Sequence, residues 1–213
     1  MDILWYGHSC FRLKHEETSV ITDPFPDSIG LTPGQPDASI VTVSNHHPNH
    51  SYTEHFSTAS NVIDGPGEYD IQGVHLQGVV TPLLEGDQPE TRNIAYLIEI
   101  AGITILHLGD IKSPFPTRRV EELVPVDILL VPAGGICTLE LDQIVAVIQS
   151  LNPKLVIPMH YSNPKVAINL EPPDTLLREL GVGKVEPQSR LIVNKSSLPQ
   201  GLQVVLMEPN PKN

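Results

Sequence analysis

Between Val41 and His50 the chain reads VTVSNHHPNH, which puts His46, His47 and His50 within five positions. Neutral imidazole is the commonest protein ligand for a divalent metal, and a loop backbone can turn several rings towards one point. The plain alternative is a polar surface loop that carries histidines. Two other residues weigh against that alternative. Asp110 follows the apolar run ending at Leu108, and His160 follows the run ending at Pro158. Each of these candidates stands just past a strand-like segment. Strand ends on one edge of a layered fold converge readily, and sites are commonly built there.

The elements that must position these residues are legible from periodicity and punctuation. Residues 3–6 and 10–13 read as short strands around Gly7-His8-Ser9, and 19–22 as a third, closed by Asp23-Pro24. Residues 39–43 form the strand that delivers the histidine loop. Further strands are expected at 61–63 and 74–80, and at 94–100 and 103–108 joined by the tight turn Ala101-Gly102. Gly65-Pro66-Gly67 reads as a turn. From there the pattern changes. Residues 117–123 predict a short helix, 127–131 an apolar strand, and 138–151 an amphipathic helix. In that helix Leu141, Ile144, Val145, Ile148 and Leu151 share a face, with Thr138 at its start and Pro153 beyond its end. A strand at 155–158, a helix at 173–180 and strands at 191–193 and 202–207 complete the chain. A β-rich first half and an alternating second half fit a mixed sandwich with helices on its outer faces better than a doubly wound parallel sheet.

Composition narrows the function. The chain has 213 residues, 40% hydrophobic and 18% charged, with net charge −12 and two cysteines, Cys10 and Cys137. No basic stretch suggests a nucleic-acid surface. No apolar run reaches the roughly 20 residues of a membrane span, and the N-terminus lacks a signal-peptide pattern. Two distant cysteines argue against a disulfide framework and fit a reducing cytoplasm. Glycine signatures for dinucleotides and phosphates are absent, as is the Gly-x-Ser-x-Gly of serine hydrolases.

Several segments, in order, carry a resemblance. WYGHSCF at 5–11, Thr22-Asp23-Pro24, Gly65-Pro66-Gly67-Glu68-Tyr69, Leu106-His107-Leu108-Gly109-Asp110 and Val156-Ile157-Pro158-Met159-His160-Tyr161 resemble the metallo-β-lactamase superfamily. The likeness is to its small prokaryotic hydrolase-like branch, related to ascorbate-6-phosphate lactonases, and it spans nearly the whole chain. It implies an α+β fold, a four-layer αββα sandwich, with residues 1–213 as one domain and a metal site at one edge of its two sheets. The family's loop reads His-x-His-x-Asp-His. Here Asn45 takes the first histidine position and Asn49 that of the aspartate, and the segment Val80–Leu84 lacks a histidine expected there.

The resemblance therefore implies an eroded site. The ligands carried over are His47, His50, Asp110 and His160. Two histidines and a carboxylate with an open position hold one divalent ion, with Zn²⁺ first and Mn²⁺ or Fe²⁺ as alternatives. His8 and Asp23 are expected beside it as catalytic or orienting groups, and Asn49 stands where a general base is missing. His107 alternates away from Asp110 and reads as structural. The expected function is metal-dependent hydrolysis of a small-molecule ester, lactone or phosphoester. The other reading is a non-catalytic member that keeps the fold as a ligand-binding or interaction module. Oligomeric state is not read from these motifs.

Overall fold

The computed structural model describes residues 1–34, 36–54, 56, 60–166 and 168–210. The first half contributes strands β1 (Asp2–Gly7), β2 (Cys10–His15), β3 (Thr18–Thr22), β4 (Ile40–Thr42), β5 (Asn61–Ile63), β6 (Gly67–Ile71), β7 (Val74–Val80), β8 (Ile94–Ile100) and β9 (Ile103–His107). Helix α1 (Thr117–Leu123), strand β10 (Ile128–Pro132), helix α2 (Leu141–Leu151), strand β11 (Leu155–Met159), helix α3 (Asp174–Glu179) and strands β12 (Leu191–Ile192) and β13 (Gln203–Val204) follow. They form two sheets, ordered β12-β1-β2-β3-β4-β5 and β13-β11-β10-β9-β8-β7-β6.

Period-two alternation explains how the first sheet is sandwiched. Ile3, Trp5, Phe11, Leu13, Val20 and Ile40 enter the large core shared with the second sheet. Their strand neighbours Tyr6, Cys10, Ile21 and Val41 point the other way, into a smaller cluster with Phe25, Ile29, Leu31 and Phe56. Among the described residues, the layer over that outer face is irregular chain with a short 3-10 turn at Asp27–Ile29. On the second sheet β10 and β11 are buried along their whole length, as parallel strands covered on both faces are. Helix α2 packs on β10, and α1 and α3 pack on α2. The result is an α+β sandwich of two facing mixed sheets, as the sequence grammar implies.

Two boundaries differ from expectation. Helix α2 begins at Leu141, and the Gln143 side chain accepts a hydrogen bond from the Glu140 amide at 3.3 Å, so the chain enters the helix at Glu140 rather than Thr138. Strand β6, hidden behind Gly65-Pro66-Gly67, pairs antiparallel with β7 from Gly67 to Ile71. Its sequence GEYDI is mostly exposed and lacks the apolar alternation that marks a strand. No helix among the described residues is long and apolar enough to cross a membrane.

The sheets leave their C-terminal strand ends on one rim. β3 and β4 are parallel, as are β9, β10 and β11. His8 follows β1, Asp23 follows β3, the histidine loop follows β4, Asp110 lies three residues past β9, and His160 follows β11. Several bonds tie the two sheets at this rim. The Tyr96 hydroxyl reaches the Val43 and Ile63 carbonyls at 3.2 and 3.1 Å. The His107 Nε2 meets the Ser9 carbonyl at 2.9 Å, so this fully buried ring joins the sheets rather than facing Asp110.

The opposite end of the second sheet is pinned by Asp127. Its carboxylate accepts from the Thr104 amide at 3.0 Å, Lys154 Nζ at 3.1 Å and Lys195 Nζ at 2.5 Å. Burial raises the pKa of this group, but Lys195, the Thr104 amide and Lys154 outweigh it and hold the carboxyl below its ordinary value. A depressed folded-state value contributes stability above the unfolded carboxylate pKa, which is lost as pH falls through the folded one. Asp127→Asn is expected to cost about 1–2 kcal/mol at pH 7, because the two lysines are partly solvated. Thermal unfolding should show a Tm lowered by several degrees at pH 7, with the difference shrinking near pH 3. An equal loss at both pH values would contradict the ionic role.

Candidate metal centre

Asp23 is the most buried charge on the rim, with no exposed surface. Its Oδ1 accepts from the Ser44 amide at 2.7 Å, and its Oδ2 accepts from the Ser44 hydroxyl at 2.5 Å. The same Oδ2 lies 2.8 Å from His50 Nδ1. A carboxylate only accepts, so Nδ1 carries a proton and Nε2 is the nitrogen turned to the centre. On that side Asp110 Oδ2 stands 2.9 Å away. Burial opposes a charge on His50, yet Asp110 and Asp23 on its two flanks push its pKa up to about 10. The Nε2 proton is the one that must leave when this nitrogen takes a cation.

Asp110 is aimed by its backbone. The Asn93 side chain accepts from the Asp110 amide and donates to the Leu108 carbonyl, both at 2.8 Å. Gly109, with φ 57°, lies against Asn93 and Ser44 so closely that a Cβ would collide with both. Burial raises the Asp110 carboxyl, but His50 and His160 outweigh it and keep it below the usual carboxylate range. His160 Nε2 approaches Asp110 Oδ1 at 3.6 Å.

His8 joins this group directly. Its ring centroid is 4.7 Å from that of His50 and 4.3 Å from that of His160. Its carbonyl accepts from the Trp5 indole at 3.0 Å and from the His160 amide at 3.0 Å, which locks the two loops together. Burial and the neighbouring His160 and His50 lower the pKa of His8 well below its ordinary value, and burial lowers that of His160. Both shifts favour the neutral ring, the form that binds metals. His8, Asp23 and His160 all have left-handed backbones, with φ 49°, 39° and 49°. Such conformations cost about 1–3 kcal/mol each for residues other than glycine and concentrate at functional sites.

These donors fit a divalent ion. Ligand atoms of His8, His50 and His160 lie within 4.8 Å of one another, close enough to converge on bonds of about 2.1 Å after small side-chain adjustment. Asp110 Oδ1, His8 Nδ1 and His160 Nδ1 are buried polar atoms with no hydrogen-bond partner among the described residues. Three imidazoles and one carboxylate form a donor set suited to a transition metal.

The structure sorts the residues singled out in the sequence. His50, Asp110 and His160 converge, and Asp23 stands directly behind His50. His8, expected beside the site, lies within the cluster. His47 is exposed at the rim, with its ring centroid 6.3 Å from that of His50. Asn49 is half-buried, and its amide donates to His47 Nδ1 at 3.2 Å. Asn93 and Ser44 escaped sequence reading. Each is a buried polar residue at the end of an apolar strand, the one signal that could have flagged them. A cavity of about 390 Å³ borders Asp110 and is lined by Asn45, His46, His47, Lys112 and Cys137 among others.

Comparison with known proteins places this geometry in a family. Residues 2–160 match the model of the beta-lactamase superfamily domain. A crystal structure from Thermotoga maritima, assigned to the Zn-dependent hydrolases of the metallo-β-lactamase superfamily, is 33% identical, with a TM-score of 0.79 over 97% of each chain. A metal-dependent hydrolase of Methanoculleus marisnigri is 26% identical over 198 residues, 80% of this chain and 86% of that one. Igni18, a metallo hydrolase from Ignicoccus hospitalis, shares the fold at 17% identity and a TM-score of 0.67, over 98% of this chain and 95% of that one.

Asp23→Asn tests the buttress behind His50. Removing a carboxylate that orients a metal-binding imidazole is expected to weaken zinc affinity by about 10–100-fold while the fold is retained. Competition with a chromophoric chelator measures the affinity, and circular dichroism the fold. Unchanged affinity in a folded variant would show that Asp23 does not hold the ring.

Proposed function

The chain belongs to the beta-lactamase superfamily, and from that membership and its own side chains we propose that it is a hydrolase working with one divalent ion, most simply zinc. The single observation that carries the reading is the convergence of three buried imidazoles with the Asp110 carboxylate. We take His8, His50, Asp110 and His160 as the residues that hold the ion. The relatives named above, a metal-dependent and a Zn-dependent hydrolase, support this direction.

A divalent ion in that set supplies Lewis acidity towards a carbonyl or phosphoryl oxygen and acidity to a water. The chain does the rest. Asp23 fixes the tautomer of His50 and its orientation. Asn93, through the Asp110 amide, and Gly109 aim the Asp110 carboxylate. Asp110 Oδ1, without a hydrogen bond among the described residues, is held 3.6 Å from His160 Nε2 and completes the donor set. Asn49 would not serve as a general base, because an amide does not accept a proton at neutral pH. The substrates proposed are small esters, lactones or phosphoesters that fit the cavity beside Asp110.

The protein purified without chelators is expected to hold no more than about one transition-metal ion per chain, since one donor set is complete. His50→Ala should remove most of that ion and abolish hydrolysis across a panel of esters, lactones and phosphoesters. Inductively coupled plasma mass spectrometry reads the metal, and the panel reads turnover. Two tightly held ions would refute the single-centre account. A loaded wild type that hydrolyses nothing on the panel would favour the binding-module alternative, for which Asn45 and Asn49 in the loop speak.

A further inference from the structure

Three segments of the rim meet at the carbonyl of Ser9. That oxygen accepts from the Thr22 hydroxyl at 2.8 Å and from His107 Nε2 at 2.9 Å. Ser9 follows His8, Thr22 precedes Asp23, and His107 ends β9, three residues before Asp110. Of the two donors, Thr22 lies on the first sheet and His107 on the second. The bond from His107 is therefore the one that crosses between the sheets.

An imidazole is a poor filler for this part of the core. A carbonyl only accepts, so Nε2 carries the proton. Burial lowers the pKa of the ring and favours its neutral form, which leaves Nδ1 bare. That nitrogen is buried and has no hydrogen-bond partner among the described residues. An unpaired buried polar atom is unfavourable. Phenylalanine would fill a similar volume, opposite the cross-strand neighbour Tyr96, without that cost. What the imidazole adds over a hydrocarbon ring is one N–H, and the N–H goes to Ser9.

The place of this bond gives it leverage. His8 stands on the first sheet's side of the centre and Asp110 on the second's. His8 has a left-handed backbone with φ 49°, a conformation that persists where the surroundings hold it. We propose that His107 is a positioning residue for the metal centre: by donating Nε2–H to the Ser9 carbonyl, it holds the His8 turn against the end of β9 and so sets the spacing of His8 and Asp110. This rests on the metal-centre reading above. His107 then governs metal affinity and ligand geometry, and not stability alone.

The test compares wild type with His107→Phe, His107→Gln, His107→Asn and a control, Ile105→Ala, which removes a fully buried core side chain from the same strand. Glutamine can bring an amide N–H near the place of Nε2, whereas asparagine is one carbon too short. Competition with a chromophoric chelator reads zinc affinity, the visible spectrum of cobalt(II)-loaded protein reads ligand geometry, and thermal unfolding of metal-free protein reads the fold. His107→Phe is expected to weaken zinc binding about tenfold or more and to shift the cobalt bands. His107→Gln should restore both, binding zinc about fivefold or more tighter than His107→Asn. Ile105→Ala should lower the Tm and keep the affinity and spectrum of wild type. A folded His107→Phe with wild-type affinity and spectrum overturns the proposal, as does an Ile105→Ala that changes both equally. Where His107→Phe does not fold, the two amides decide, and equal affinity in them overturns it. A wild type that holds neither zinc nor cobalt overturns the metal centre itself, an outcome told apart because it involves no substitution.

Discussion

A carboxylate with no exposed surface organises this molecule's rim. Asp23 sits where β3 ends, and burying its charge is tolerable only if donors close around it. Ser44 supplies its amide and its hydroxyl, and His50 supplies Nδ1–H. Those bonds fix where the chain goes after β4, because Ser44 opens the histidine loop and His50 closes it. The orientation of His50 then sets which nitrogen meets Asp110. The geometry of the centre is thus the satisfied hydrogen-bond inventory of one buried acid.

The second constraint is that the two sheets must agree on where the rim lies. His8 leaves the first sheet and His160 the second, and both are held by one shared atom, the His8 carbonyl. Trp5, packed against Tyr161 with ring centroids 4.9 Å apart, brings its indole N–H to the same oxygen. Core packing and site geometry are therefore coupled. A change that shifts Trp5 in the core moves a buried imidazole at the rim. The left-handed backbones at His8, Asp23 and His160 are sustained by this over-determination.

Much of this was legible from residues alone. Apolar alternation located the strands flanking the site, and the residues just past them, His50, Asp110 and His160, are the ones that converge. Strand β6 was not legible, because its residues are exposed and polar and only pairing with β7 makes it a strand. The start of α2 lay with the Glu140–Gln143 hydrogen bond, which competes with the more familiar threonine start. The place of His8 depends on a contact with His160 across the whole fold, and no local pattern encodes that. His47 stands at the rim with its Nδ1 accepting from the Asn49 amide, and loop hydrogen bonds of this kind leave no trace in sequence.

Asparagines stand at two positions where the family's loop carries ligands, Asn45 and Asn49, whereas the sheets themselves bring His8, His50, Asp110 and His160 together, and the proposed single centre lies among those four. Location decides between this and a rebuilt two-metal site. Crystals of the zinc-loaded protein, with anomalous diffraction recorded on both sides of the zinc absorption edge, give it directly. The account predicts one zinc peak per chain, bounded by His8, His50, Asp110 and His160. A second peak beside His46 or His47, or a single peak that excludes His8, would contradict it.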